Sequence, residues 1–125
     1  MLLALTVILL AATISIVSAG LPTVVEKEKD KYFFKIHGKT EQCGVVETRY
    51  KNLSPANQIV DIVLEVTWNG NPKEWTPSYT IAPGQEIEPA DIKPADPGTV
   101  VVFTIYIDGV EELSGTIIVP PIGSG

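Results

Sequence analysis

Ile59-Val60-Asp61-Ile62-Val63-Leu64-Glu65-Val66-Thr67-Trp68 is the stretch that decides the fold. Ile62, Leu64, Val66 and Trp68 point one way and Asp61, Val63, Glu65 and Thr67 the other. A period of two with one greasy face predicts a half-buried antiparallel strand. Asn69-Gly70 follows as a turn signal, because both residues tolerate the left-handed backbone of a tight hairpin.

The same pattern recurs on either side. Thr99–Ile107 predicts a long strand with Val101, Phe103, Ile105 and Ile107 on its apolar face. The opposing Val100, Val102, Thr104 and Tyr106 are also largely apolar, so a neighbouring subunit is expected over that outer face. Asp108-Gly109 predicts a tight hairpin turn into a last strand, about Leu113–Val119, that ends at Pro120-Pro121. Upstream, Tyr32–Ile36 predicts a strand with Tyr32, Phe34 and Ile36 on one face. Cys43–Lys51 predicts another, followed by a loop over Asn52–Asn57. Glu74–Ile81 is expected to be extended, and Glu86–Ile92 to be an edge made irregular by Pro89, Pro94 and Pro97. Six to eight short strands with turn signals between them, and no helical period after residue 25, indicate an antiparallel β-sandwich.

Met1–Val25 is different in kind. It holds no Asp, Glu, Lys, Arg or His, and every formal charge of the chain lies after it. As a helix, 20–25 residues at about 1.5 Å each reach roughly 30–37 Å, enough to cross a bilayer core. At about 100° per residue, Ala4, Ala11, Ser15, Ser18 and Ala19 fall on one face. Ala11-x-x-x-Ser15-x-x-x-Ala19 is a small-residue stripe that lets helix backbones approach closely. Leu2, Leu5 and Leu9 fill much of the remaining surface. These eight residues are the expected helix-packing and assembly positions. The expected fold class is mostly β with one N-terminal α-helix: an apolar assembly or transmembrane helix over 1–25, then an immunoglobulin-like β-sandwich head over 26–125.

Met1–Gly20 together with this strand pattern resembles a mature archaeal type IV pilin. That family joins a short, uncharged apolar helix directly to an immunoglobulin-like sandwich. The resemblance implies a structural subunit of an extracellular adhesive filament, polymerised through a bundle of N-terminal helices. It implies a homo-polymer, residence in the membrane before assembly, and a pilus assembly machinery as partner. It also implies that a prepilin peptidase removes a short basic leader ahead of Met1. The acidic residue near the start of many bacterial pilins has no counterpart here, since position 5 is Leu. The archaeal flagellar filament proteins share the same plan.

Two other readings remain open. Val17-Ser18-Ala19 before Gly20 fits a signal-peptide cleavage site, although no Lys or Arg precedes the apolar run. Residues 1–19 would then leave a secreted or membrane-anchored immunoglobulin-like binding module. Alternatively, the new tail from Gly20 would be the donor strand of a fibre. The Tyr79-Thr80-Ile81-Ala82-Pro83-Gly84 phrase resembles the strand and Pro-Gly turn of extracellular adhesion modules of that kind.

Composition narrows the chemistry. A net charge of −6 without a basic cluster argues against nucleic acid. One His (His37) and one Cys (Cys43) fall short of a blue-copper set, and the only Met is Met1. Zinc lacks four nitrogen or sulfur ligands, and no serine sits in a nucleophile elbow. Glu111-Glu112 reads as a solvated pair after a turn, and Glu26–Lys31 as a solvated charged run. No cofactor and no catalysis are expected. Asn52-Leu53-Ser54 is the single N-glycosylation sequon, with Asn52 expected in a surface loop.

Overall fold

In a computed structural model the described residues are 20–40, 44–68 and 70–121. They form ten strands: β1 (Val24–Lys29), β2 (Tyr32–Thr40), β3 (Gly44–Asn52), β4 (Gln58–Trp68), β5 (Asn71–Trp75), β6 (Ser78–Ile81), β7 (Glu86–Ile87), β8 (Asp91–Ile92), β9 (Val100–Ile107) and β10 (Val110–Ile118). One sheet runs β1-β2-β3, with the short β7 and β8 sharing the far edge of β3. The other runs β10-β9-β4, with β5 and β6 sharing the far edge of β4. Every pairing is antiparallel.

Alternation drives the packing. Tyr32, Phe34 and Ile36 of β2, with Val46 and Tyr50 of β3, turn inward and are buried. Val60, Ile62, Leu64 and Val66 of β4, with Val101, Phe103, Ile105 and Ile107 of β9, meet them from the opposite sheet. The Phe34 and Phe103 rings touch across the two layers, with centroids 5.5 Å apart. Register follows: Ile62 sits beside Ile105 and Leu64 beside Phe103. A slip of one residue would turn every apolar side chain outward.

Local chemistry sets the turns. Asp108 and Gly109 both have positive φ, 51° and 84°, as a two-residue hairpin of matching twist requires. The Asp108 carboxylate also accepts from the Ile59 amide at 3.0 Å. Gly44 is fixed by close approach rather than by φ. A Cβ there would stand 1.6 Å from the Ala95 carbonyl oxygen, where the segment entering β9 crosses β3. The Ala95 amide donates to the Gly44 carbonyl at 2.8 Å.

The expected fold class needs correction. The described chain is nearly all strand, and no helix among those residues is long and apolar enough to cross a membrane. A helix-plus-sandwich fold, a transmembrane helix and a helix-built polymer therefore have no support in the described structure. Val24 and Val25, the last two residues of the apolar segment over 1–25, pair with His37 and Ile36 as an extended strand. Lack of charge gave no helical period at these β-branched residues, and pairing with β2 determines their conformation. The solvated run Glu26–Lys29 belongs to the same strand. The remainder of the expected helix, residues 1–19 with Leu2, Ala4, Leu5, Leu9, Ala11, Ser15, Ser18 and Ala19, lies outside the described residues, as does Cys43. The sandwich itself agrees with the expectation.

The core carries a polar string at one end. The Tyr32 and Tyr50 rings stack with centroids 6.0 Å apart. Tyr50 Oη donates to Gln58 Oε1 at 2.7 Å, and Gln58 Nε2 donates to the Lys31 carbonyl at 2.9 Å. Burial pushes both phenols above their ordinary value, Tyr50 by far the more, with Tyr32 and nearby acids adding to the shift at Tyr50. The folded chain therefore keeps these protons where the unfolded chain loses them. This stability is complete below about pH 10 and falls as pH rises above that. The guanidinium midpoint is expected to hold between about pH 8 and 9.5, then drop by about pH 11, with Tyr50→Phe flattening the drop. Gly44→Ala is expected to lower stability by about 3 kcal/mol in the same assay.

Candidate functional site

Where the two sheets part, proline shapes a cleft. On one side, Pro72 and Pro77 bracket the outer strand of the β4 sheet, and β5 is exposed along its whole length. On the other, Pro89 separates β7 from β8 along the outer edge of the β3 sheet, and Pro94 follows β8. Proline has no amide to donate, so such edges stay short and irregular. Thr48 holds the break together. Its hydroxyl donates to the Ala90 carbonyl at 2.6 Å and accepts from the Ala90 amide at 2.8 Å.

The cleft between these edges has a volume of about 850 Å³. Val66, Ala95 and Thr99 lie toward the core, Asn71, Lys73 and Trp75 on the β5 wall, and Asp91 through Pro94 on the other. Trp75 pairs with Leu64 and Lys73 with Val66, so both sit on the inward side of the sheet, at its open border. Trp75 is 40% exposed. Tyr79 reaches across from β6, its hydroxyl donating to the Pro89 carbonyl at 2.6 Å. That strut ties the sheets together beyond Pro77, at the lower end of the cleft. Thr99 is only 2% exposed, and its hydroxyl has no hydrogen-bond partner among the described residues.

The sequence-predicted residues fall elsewhere. Asn52 ends β3 and is fully buried. Its Nδ2 donates to the carbonyls of Ala56 and Ile81, both at 2.8 Å. Its Oδ1 accepts from the amide and the hydroxyl of Ser54, again at 2.8 Å each. The sequon thus closes the loop between β3 and β4 and ties it to β6. His37 lies within β2 between Lys35 and Lys39, and burial, followed by those two lysines, holds its pKa below the usual histidine value. Glu111 and Glu112 begin β10, at a register shift, and Glu112 pairs with Lys31 at 2.9 Å. The outer face of β9 is mixed, with Val102 exposed between Glu65 and Thr116. No group of three metal-ligating side chains gathers among the described residues.

Sequence reasoning missed the cleft because its walls come from segments about twenty residues apart. The available signal was Trp75 in a proline-bracketed strand facing a second proline-rich edge. No family model, curated protein or solved structure matches this chain, so its function rests on its own geometry.

Two substitutions separate structural from spare polar groups. Asn52→Ala removes four side-chain hydrogen bonds, one of them to the buried Ile81 carbonyl, and is expected to cost about 2–3 kcal/mol in chemical denaturation. Thr99→Val removes an unpartnered buried hydroxyl and is expected to raise stability by about 1 kcal/mol in the same measurement.

Proposed function

We propose that this chain is a structural subunit of an extracellular surface filament of the type IV pilin kind, with the β-sandwich as its outward head. The observation that carries the reading is the way the uncharged segment joins that head. The Pro22 carbonyl accepts from the Ile118 amide at 2.9 Å, and the Thr23 carbonyl accepts from the Gly38 amide at 2.8 Å. Pairing of β1 with β2 begins at the next residue, Val24. The junction therefore contains no free linker from Pro22 onward. A binding module on a tether gains reach from a loose connection. A subunit whose apolar segment is buried among its neighbours benefits from a fixed head, because each copy then presents the same surfaces in the same attitude.

The energetics agree with this reading. Burial of on the order of 1,000 Å² of apolar surface at about 25 cal/mol per Å² gains about 25 kcal/mol gross, before the entropy of association. A contact between unlike surfaces of identical copies, repeated without closure, gives an open polymer. The partners are other copies of the chain and the machinery that draws them from the membrane, and the role is surface attachment.

Mass spectrometry of the native surface protein tests the proposal. The mature chain is expected to retain Leu2–Ala19, and the filaments are expected to dissolve in detergent. A mature chain beginning at Gly20 would replace this reading with a secreted module or a donor-strand fibre.

A further inference from the structure

We infer that the cleft between β5 and β8 binds an anionic saccharide. Three independent features point there. First, Trp75 turns a 40% exposed indole into a cleft whose volume lies within the ordinary range for small-ligand sites. A flat aromatic face at a wet border suits the C–H face of a pyranose ring while leaving its hydroxyls to polar neighbours. Second, Thr99 keeps a buried hydroxyl without a partner among the described residues on the inner side of the same cleft. Buried polar groups are nearly always paired, so an orphan at the base of a cleft marks a place where a bound molecule or water completes the bonding.

Third, the charge at this site runs against that of the chain. The protein carries −6, yet Lys73 and Lys93 line the cleft with a single carboxylate, Asp91. Neither lysine makes an ion pair among the described residues. Two ammonium groups, one aromatic face and a hydroxyl together fit a uronate-bearing oligosaccharide. A polypeptide adding itself as a strand fits less well, because Pro72 interrupts the amide row of β5.

This assignment stands apart from the assembly reading and is tested by binding alone. The full chain, labelled with ¹⁵N at its indoles, is held in the sugar-free detergent lauryldimethylamine oxide and titrated with trigalacturonate, maltotriose and a proline-rich dodecapeptide. Trigalacturonate is expected to shift, saturably, the indole resonance that Trp75→Phe removes. Trp75→Ala is expected to weaken binding at least about tenfold and Lys73→Gln about threefold to tenfold. Raising salt from about 50 to about 500 mM is expected to weaken it several-fold. Thr99→Val is expected to weaken binding although it stabilises the fold, a combination that a purely structural role for that hydroxyl would not give. The inference is overturned by the absence of a saturable shift at about 20 mM trigalacturonate, by equal affinity for maltotriose, by tighter binding of the peptide, or by binding that survives Trp75→Ala.

Discussion

The contact on which this structure depends is the meeting of Phe34 and Phe103 between the two sheets. Each ring comes from an inner strand of its sheet, and each is flanked along its strand by buried residues facing the same way, Tyr32 and Ile36 beside Phe34 and Val101 and Ile105 beside Phe103. Once these rings oppose one another, the register of β2 against β3 and of β9 against β4 is set, because a one-residue shift in either would turn the ring out of the core and bring in an outward-facing neighbour, Phe33 or Lys35 in β2 and Val102 or Thr104 in β9. The crossing of Ala95 over Gly44 depends on the same alignment, since only a residue without a side chain allows the two backbones to approach so closely.

Outside the core, charge governs what the edges do. β1 borders its sheet with alternating Glu and Lys, which blunts an otherwise open row of amides and carbonyls. The outer face of that sheet is laced by Lys39 with Glu47 at 2.9 Å and by Arg49 with Glu86 at 2.6 Å. At such exposure these pairs add little stability, and their effect is to keep the face wet. The edges that border the cleft carry prolines instead, Pro77 beside one sheet and Pro89 and Pro94 beside the other. The two kinds of edge correspond to two tasks, one excluding strand partners and the other leaving room between the layers.

The legible parts of the sequence were those in which one physical signal dominated. In β4 and β9, Ile62, Leu64 and Val66, and Val101, Phe103, Ile105 and Ile107, all named as inward-facing from alternation, are buried, while the side chain of Trp68, named with them, lies outside what is described. The Asp108-Gly109 turn was equally plain, because few residue pairs accept positive φ twice. β1 was obscured because its valines close an uncharged run and its Glu-Lys alternation looks like solvated surface. Asn52 was misplaced for a related reason. The Asn-x-Ser spacing that marks a glycosylation sequon also lets a serine bond back to an asparagine carbonyl and close a turn. The cleft was illegible because only topology brings Lys73 and Trp75 near Lys93.

The strut from Tyr79 to Pro89 has a consequence for that cleft. It joins the two walls near Pro77 and Pro89, at the far end of the trough from Asn71 and Pro94. A groove bridged at one end has polarity. The two ends of the trough are therefore unlike, so a directional molecule laid along it would sit one way round rather than the other.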